Sequence, residues 1–447
     1  MTAKTIITLL SLLLTFYSSL SYSFDSTQTS FENGVEAYNN DNFKEAIEYF
    51  SVYLKFATMH DEIYYLRGNS YFELKKTEEA ITDYLKASEL GFKDEKMFVR
   101  LGKYYKEKES NSNALKFFQK AVETNNNFAE GYMEIGNIYL IEGNVEKASE
   151  NYNKALQIDP FYHEVNFSMG KTSFESGDMN TALFHFRTSF LLDSLNPKFS
   201  YFLGKTYFKL NDTVIGLNYI RNCINIDSGY APAYIELAEL KIEGKYYDSA
   251  VYFLTKAIDY PGTEISVPYC LRKRSDLYFL AGKDTPAIND LNLAISLNPT
   301  DTNAYYMKGL YYYKGGNDSA ALLNSEKSLQ MNANYSPALS LRGSVFLNQN
   351  KFSEAESDIK KALSINPKDT LALMGMGKIL LNNDEYRNAF TYFDNVLKVN
   401  PGSSAAYEHR GICYFNLGLY KQATYDFEKA ISYDPSLKEK LKPFIVK

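Results

Sequence analysis

Residues 136–155, GNIYLIEGNVEKASENYNKA, decide the fold of this chain. Gly136 and Tyr139 lie about one helical turn apart in one amphipathic pattern, and a Glu-Gly-Asn turn follows them. Ala148 and Tyr152 then lie four residues apart in a second pattern of the same kind. Residues at these spacings share one face of a helix, so the stretch predicts two short helices joined by a tight turn.

The same pattern recurs along the chain with a period of 34 residues. A small residue marks each unit, at Gly34, Gly68, Gly102, Gly136, Gly170, Gly204, Ala238, Ser275, Gly309, Gly343, Gly377 and Gly411. Twelve residues later a second small column holds Ala46, Ala80, Ala114, Ala148, Ala182, Gly216, Ala250, Ala287, Ala321, Ala355, Ala389 and Ala423. Four residues after that a bulky residue stands in every unit but one, which has Ser325. A fixed period of this length predicts stacked helix pairs.

The columns also indicate how the helices pack. Small residues let the axes of paired helices approach closely, and bulky residues fill the groove of the neighbouring helix. Several units close on Asp-Pro or Asn-Pro, where proline can begin a helix but cannot continue the previous one. These prolines are Pro160, Pro299, Pro367, Pro401 and Pro435. We therefore predict an all-α fold of twelve helix pairs.

These columns resemble the tetratricopeptide repeat, in which Tyr follows the glycine by three residues and Ala, an aromatic residue, Ala and Pro follow at fixed spacings. The resemblance covers roughly residues 27 to 435. It implies a right-handed α-solenoid of tandem helix-turn-helix repeats, whose concave face is lined mainly by the first helix of each pair. The usual Trp is replaced by Tyr or Phe, as at Tyr64 and Phe98, and repeats six and nine match least closely.

One connector, residues 260–266, breaks the 34-residue register, since the step from Ala238 to Ser275 is 37 residues. We predict repeats 1–7 over residues 27–262, repeats 8–12 over 263–435 and a capping helix over 436–447. The capping helix is indicated by the spacing of Leu437, Leu441 and Phe444. The inserted residues are interpreted either as a hinge between the two blocks or as a tolerated loop insertion.

The amino terminus differs from the repeats. Lys4 precedes an apolar stretch from Ile6 to Tyr17, and small residues at Ser19, Ser21 and Ser23 offer cleavage sites. The stretch is shorter than the roughly 20 residues that a spanning helix needs, so residues 1–23 are predicted to be a signal peptide. An uncleaved anchor is the alternative. We expect an exported protein, periplasmic or associated with the cell envelope of a bacterium, with no membrane span after cleavage.

Composition excludes several functions. Net charge is −6 and no long run of Lys and Arg occurs, so no nucleic acid partner is expected. Cys223, Cys270 and Cys413 lie in helical patterns and are interpreted as buried small apolar residues, with a bridge between the first two as the alternative. The four histidines are interpreted as surface or groove residues, and no metal, cofactor or catalytic motif accompanies them. A non-enzymatic protein is expected.

A candidate binding strip follows from the resemblance, because residues next to the glycine column would face the concave groove. Repeats two to six carry Asn or Lys at this position, flanked by aromatic residues. The predicted groove residues are Tyr65, Asn69, Phe72, Lys103, Asn137, Lys171, Phe174, Tyr201, Lys205 and Phe208. Lys and Asn beside aromatic faces would suit an acidic or amide-rich segment, extended or helical, of a partner protein. An ordinary solvated helix face is the alternative.

The resemblance also allows a test for the carboxylate clamp of chaperone-binding members. Lys96 and Arg100 match one pair of that clamp, but Phe31, Val35 and Leu66 stand where Lys and Asn would be needed. Chaperone-tail binding is therefore disfavoured. The leading hypothesis is a scaffold that holds protein segments in an exported assembly. The alternative is a periplasmic scaffold of polysaccharide synthesis or export with direct glycan contact.

Overall fold

The computed structural model describes residues 27–260 and 267–445. The predicted signal peptide, residues 1–23, and most of the connector at 260–266 lie outside these residues. Every regular element in the described part of the chain is helical, which confirms the prediction of an all-α solenoid of paired repeats. None of the described helices combines the length and the apolar character needed to cross a membrane.

Two compact units divide the chain, one ending at Ile226 and the other beginning at Asp227. The helices of unit 1 are α1 (27–39), α2 (Phe43–Tyr53), α3 (Asp61–Glu73), α4 (Thr77–Leu90), α5 (Glu95–Glu107), α6 (Asn111–Thr124), α7 (Ala129–Ile141), α8 (Val145–Ile158), α9 (His163–Ser176), α10 (Met179–Leu192), α11 (Pro197–Lys209) and α12 (Thr213–Ile226). Each odd-numbered helix pairs with the next, and the even-numbered helix then packs against the following pair.

Unit 2 repeats the same plan. Its helices are α13 (Ala231–Glu243), α14 (Tyr247–Asp259), α15 (Val267–Leu280), α16 (Asp284–Leu297), α17 (Thr302–Lys314), α18 (Asp318–Met331), α19 (Ser336–Asn348), α20 (Phe352–Ile365), α21 (Thr370–Asn382), α22 (Tyr386–Val399), α23 (Ser404–Asn416), α24 (Tyr420–Tyr433) and the short α25 (Lys438–Leu441). We call the odd-numbered members of the pairs first helices and the even-numbered members second helices.

The glycine column is the closest contact within the pairs. A Cβ placed on Gly136 would lie 2.6 Å from Cε1 of Tyr152, and one on Gly102 would lie 2.3 Å from Cε1 of Phe118. Both rings are fully buried. A distance under 3 Å is shorter than any ordinary contact, so the ring occupies the space that a side chain would need. A small residue is therefore required in the glycine column because the bulky side chain of the paired helix fills the space beside it.

The two loosest repeats keep this contact by compensation. In repeat six, Phe208 rests on Gly216, where a Cβ would meet the ring at 2.5 Å. In repeat nine the bulky residue is missing at Ser325, and Leu341 of the following α19 comes nearest to Gly309 instead. Small changes of volume in a helix interface are thus offset by neighbours, as close packing requires.

The turn inside each pair has one fixed geometry. In every pair one residue adopts the left-handed conformation, with φ between 56° and 87°. These residues are Asp41, Lys75, Glu109, Gly143, Gly177, Asn211, Lys245, Gly282, Gly316, Asn350, Asp384 and Gly418. The next amide then donates to a carbonyl five residues back, as from Lys76 N to Tyr71 O at 2.9 Å. This hydrogen bond ends the first helix and reverses the chain.

Four repeats carry an additional ionic clamp. The guanidinium of Arg67 donates to both carboxylate oxygens of Asp83, with Nε···Oδ2 at 2.7 Å and Nη2···Oδ1 at 2.8 Å. Its Nη1 donates to Ser51 Oγ at 3.0 Å, so the side chain joins the paired α3 and α4 to the preceding α2. The equivalent pairs are Arg274–Asp290, Arg342–Asp358 and Arg410–Asp426. Bidentate geometry of this kind fixes register as well as distance.

The helices that flank the inserted connector pack against each other. Cys270 of α15 lies in the same buried cluster as Leu254 and Ala257 of α14. Lys273 of α15 also pairs with Glu239 of α13 at 3.3 Å. The stack of unit 2 therefore continues past residues 261–266, which favours a tolerated insertion. The division into seven and five repeats stays a prediction.

The segment after Asp434 covers the last pair. Leu441 is buried against Phe427 and Ala430, and the ring of Phe444 packs on Phe415. The segment forms two 3₁₀ turns around α25 where the sequence suggested one helix. Pro443 has no amide hydrogen to donate, so a continuous helix cannot pass through it.

Exchanging the facing residues of one pair tests the glycine contact. We expect Gly102→Ala to lower the free energy of unfolding by about 1–3 kcal/mol, because the added methyl group overlaps the ring of Phe118. Adding Phe118→Leu recreates the Ala–Leu combination of Ala238 and Leu254. The double variant should lose clearly less than the sum of the single changes, as measured by urea unfolding followed by circular dichroism. Simple additivity would contradict the contact.

Substitutions in the turns test the importance of the residues with left-handed backbone conformation. Glu109→Gly should raise the free energy of unfolding by up to about 1 kcal/mol, because glycine adopts positive φ without a steric cost. Gly143→Ala at the equivalent position should lower it by about 1 kcal/mol. Thermal unfolding of both variants beside the parent chain measures the difference, and a loss of stability in Glu109→Gly would refute the interpretation.

Candidate functional site

The ten predicted groove residues all lie on first helices of unit 1. Helix α3 carries Tyr65, Asn69 and Phe72, α5 carries Lys103, α7 carries Asn137, α9 carries Lys171 and Phe174, and α11 carries Tyr201, Lys205 and Phe208. The stacking of the pairs brings these helices side by side. Their side chains nevertheless have different roles.

The two asparagines serve the fold. The hydroxyl of Tyr84 donates to Asn69 Oδ1 at 2.8 Å, and Arg100 Nη1 donates to the same oxygen at 2.7 Å. The hydroxyl of Tyr152 donates to Asn137 Oδ1 at 2.8 Å. A buried hydroxyl without a partner would cost stability, so these amides are needed inside the repeats. Asn69 is buried and cannot contact a partner.

A correlation between two columns could have revealed this role. The residue after the glycine is Asn where the bulky residue, 15 positions later, is Tyr; where the bulky residue is Phe, it is apolar or Lys. The pairs are Asn69 with Tyr84, Asn137 with Tyr152, Lys103 with Phe118, Lys171 with Phe186 and Lys378 with Phe393. Asn therefore occurs where the bulky residue has a hydroxyl group that needs a hydrogen-bond acceptor.

Most of the predicted aromatic residues are covered by protein. Tyr201 is buried, and Phe174 packs beside the buried Phe186. Phe208 rests on Gly216, and the ring of Tyr65 stacks on another ring of the fold at 4.5 Å between centroids. Phe72 is the exposed member of the set. Open aromatic faces are thus fewer than the sequence suggests.

The three lysines differ in their surroundings. Lys103 Nζ lies 2.6 Å from Glu130 Oε1 and 4.0 Å from Glu134 Oε1, so the next first helix offsets much of its charge. Lys205 lies 5.9 Å and 5.4 Å from the centroids of two aromatic rings of the set. Lys171 is half-buried on α9. The predicted basic strip is therefore partly neutralised within the chain.

A cleft of about 440 Å³ opens between the second and third repeats. Its lining residues are Phe72, Thr77, Ile81, Lys96, Val99, Arg100, Lys103, Tyr104, Glu107 and Glu130. Lys96, Arg100 and Lys103 follow at spacings of four and three residues, so they share one face of α5. This face combines cations with apolar surface, and two of the predicted groove residues, Phe72 and Lys103, line the cleft. We call it the α5 cleft.

Arg100 is held in place within the α5 cleft. Its guanidinium lies 4.0 Å from the centroid of the Phe72 ring, and Nη1 donates to the hydroxyl of Tyr84 at 2.7 Å. Burial raises the pKa of Tyr84 far above its usual value, so the hydroxyl stays protonated. Because these contacts fix the guanidinium before any ligand arrives, little side-chain entropy would be lost on binding.

The residues that depart from the carboxylate clamp belong to the core of the first repeats. Val35, Leu66 and Phe31 pack against the cluster that contains Phe50. The ring of Phe31 also stacks on His60 at 5.9 Å between centroids. Apolar packing therefore occupies the positions where a clamp would need polar side chains.

The cysteines and acidic groups form no reactive centre in the part of the chain that the structure describes. Cys223, Cys270 and Cys413 are free and buried, as interpreted from the sequence, and no bridge joins the first two. Burial raises the pKa of Cys270 to about 11 and that of Cys413 to about 12, so both remain thiols rather than nucleophilic thiolates. Residues 27–260 and 267–445 contain no group of three His, Cys, Asp or Glu that could hold a metal ion.

One histidine, His185, lies deeper than the sequence suggested, and His409 is half-buried. His185 is buried and its Nδ1 lies 3.1 Å from Asn166 Oδ1. Burial lowers the pKa of His409 to about 4, and its ring stacks on Phe393 at 5.3 Å between centroids. The interpretation of His185 as a surface or groove residue is wrong, because its side chain is buried between the paired helices α9 and α10. His409 is half-buried on the first helix α23, so its interpretation stays a prediction.

A second cleft, of about 660 Å³, lies in unit 2 between α18, α19 and α20. Arg342, Asp358, Glu326 and Lys361 line it. Cations and anions balance in this lining, and Arg342 is already bound to Asp358 at 2.6 Å. This cleft therefore favours no class of charge, whereas the α5 cleft has three cations and two carboxylates in its lining.

Family models match five segments of the chain. One described as TPR repeat matches residues 136–177, and two described as tetratricopeptide repeat match residues 404–437 and residues 61–90, 95–128 and 336–369. None of the curated proteins compared with the chain matches it.

Solved structures with a similar course include the APC/C hetero-tetramer Cut9–Hcn1, 12% identical, with 95% of this chain and 97% of that chain covered and a TM-score of 0.47. A tetratricopeptide repeat protein from Parabacteroides merdae is 19% identical, with coverage of 56% and 97% and a TM-score of 0.45. A structure from the characterisation of Pseudomonas aeruginosa pilF is 18% identical, with coverage of 46% and 92% and a TM-score of 0.41.

The family matches recur at the spacing of the helix pairs, and each covers helices of the kind described above. On these matches and on its repeated pairs, the chain carries tandem tetratricopeptide repeats, a fold that generally serves as a non-catalytic scaffold that binds peptides and proteins.

Proposed function

We propose that the chain is an exported, non-enzymatic scaffold that holds acidic segments of partner proteins in the α5 cleft. The observation that carries the proposal is the alignment of Lys96, Arg100 and Lys103 on one face of α5 beside the exposed Phe72. A carboxylate would meet the cations while an adjacent apolar side chain rests on Phe72. Combined charge and apolar anchoring is how peptide grooves obtain both affinity and specificity.

Lys96 is the cation best placed to bind a carboxylate of the ligand. It is exposed, whereas Lys103 is paired with Glu130 and Arg100 is fixed by Tyr84 and Asn69. Arg100 Nη2 also lies 3.9 Å from Glu73 Oε1, so Lys96 is the cation of this face that a ligand carboxylate could meet without displacing an internal carboxylate. An acidic segment is thus favoured over a basic one, which would have to compete with Lys103 for Glu130 at the rim.

Direct glycan contact has less support on this surface. Sugars bind by stacking on open aromatic faces, but Tyr201 is buried, Phe174 is half-buried beside Phe186, and the Phe72 ring already faces Arg100. A protein segment therefore fits the described residues better than a polysaccharide.

Binding of labelled peptides tests the ligand. The probe is a fluorescein-labelled peptide in which Asp residues alternate with Leu, and its match carries Lys in place of Asp. We expect the acidic peptide alone to bind, with an affinity that falls as salt rises. Lys96→Glu should weaken binding by about tenfold, because attraction becomes repulsion at the mouth of the cleft. Fluorescence anisotropy measures both effects.

The matched control is Lys116→Glu, which makes the same charge change at an exposed site on the second helix α6. It should bind like the parent chain. Equal binding of the acidic and basic peptides, or equal losses in the two variants, would overturn the assignment to the α5 cleft.

The export proposal rests on the sequence of residues 1–23, which lie outside the described residues. Fractionation of the source cell should find the chain in the periplasm or envelope, with an amino terminus after Ser19, Ser21 or Ser23 by mass spectrometry. Leu12→Arg with Leu13→Arg should retain the chain in the cytoplasm, because two charges interrupt the apolar stretch. A parent chain found in the cytoplasm with Met1 retained would refute export.

A further inference from the structure

Lys103 is bound by a carboxylate of the neighbouring repeat. Its Nζ lies 2.6 Å from Oε1 of Glu130, in the first turn of α7, and 4.0 Å from Oε1 of Glu134. Glu134 is already occupied, because Lys106 Nζ donates to its Oε2 at 2.6 Å and Asn137 Nδ2 donates to the same oxygen at 3.3 Å. Glu130 is therefore the main counter-ion of Lys103.

This ion pair is open to exchange with a ligand. The side chain of Glu130 is 33% exposed and that of Lys103 is 44% exposed, and both residues line the α5 cleft. Ion pairs that remain in contact with water contribute little to stability. A ligand carboxylate that replaces Glu130 on Lys103 would thus exchange one weak ion pair for another, with little net gain in affinity.

The fold does not require a carboxylate at position 130. The equivalent residues of other repeats vary in chemistry and include Gln28, Pro232 and Leu371. An acidic residue in the first turn of a helix stabilises the helix slightly, but this column shows that neutral residues are accepted as well. The contact with Lys103 is therefore a property of repeats three and four and not of the repeat fold.

The α5 cleft has two positions at which a lysine could bind a ligand carboxylate. Lys96 and Lys103 are seven residues apart on one face of α5, which separates their Cα atoms by about 10 Å along the helix axis. The position at Lys96 is open, whereas the position at Lys103 is filled by Glu130.

We propose that Glu130 is an internal competitor of the ligand, which fills the second carboxylate position and limits the α5 cleft to one acidic residue of a partner segment. The inference rests on the proposed function and names the selectivity of the same site. A segment gains affinity from the carboxylate at Lys96 and almost none from a second carboxylate about 10 Å further along. The cleft therefore selects one carboxylate beside an apolar side chain at Phe72 and not the total charge of the segment.

Two fluorescein-labelled peptides that differ in one carboxylate test the competition. Both have Leu-Asp-Pro-Pro at the centre, followed by Asp in one peptide and by Asn in its match. The prolines favour a polyproline II helix, which places side chains three residues apart on the same side and about 9 Å from each other. We expect the parent chain to bind the two peptides with affinities within about twofold of each other, measured by fluorescence anisotropy at one salt concentration.

Removal of the competitor should make the second carboxylate contribute. In Glu130→Gln, which introduces the residue of the equivalent position 28, the peptide with two Asp should bind about fivefold more tightly than its match. Lys103→Met added to this variant should abolish the difference, because the released cation is then absent. The matched control is Glu107→Gln, which removes a carboxylate from the same cleft lining without releasing Lys103. It should change the binding of both peptides equally.

The outcomes separate this inference from the proposed function. If both peptides bind the parent chain through Lys96, but Glu130→Gln favours the second carboxylate no more than Glu107→Gln does, the internal competitor is refuted and the proposed function stands. If neither peptide binds the parent chain or Glu130→Gln, both proposals fail. A difference between the peptides that persists after Lys103→Met would also overturn the inference, because the second carboxylate would then bind elsewhere.

Discussion

The contact between the glycine of each first helix and the bulky residue of its partner sets the geometry on which the rest depends. At Gly102 the ring of Phe118 stands where a Cβ would be, at 2.3 Å. Because this fixes how closely the two axes approach, the left-handed turn and the position of the next pair follow. The stack then sets which side chains of neighbouring first helices can meet, as Lys103 and Glu130 do.

The sequence predicts the helix pairs well because the contact between the glycine and the bulky residue recurs with one period. The glycine and alanine columns located nearly every helix pair, and the compensations at Gly216 and Ser325 were visible as irregularities in the columns. The C-terminal cap differed in form, since Pro443 prevents a regular helix there. The 34-residue period describes only the features that all repeats have in common, whereas the cap occurs once, after the last repeat.

The sequence predicted only part of the candidate site, because each column of the repeat was considered separately from the others. Asn69 and Asn137 looked like surface polar residues until the hydroxyls of Tyr84 and Tyr152 were placed beside them. The pairing of Lys103 with Glu130 joins residues 27 positions apart in different repeats, which no single-repeat pattern displays. The Arg–Asp clamps illustrate the same point, since Arg67 and Asp83 read separately as solvated charges.

In a chain built of repeats, information about function comes from the residues that depart from the repeat columns. A residue that fits its column is explained by the fold, as Tyr84 is, and gives no information about a ligand. Glu130 is informative because its column has no common residue and the fold accepts Gln28, Pro232 or Leu371 at the equivalent positions. Burial cannot account for it, since the side chain is partly exposed beside Lys103. A carboxylate that the architecture does not require, placed against a cation of the α5 cleft, acts on what the cleft binds, and the repeats themselves supply the comparison.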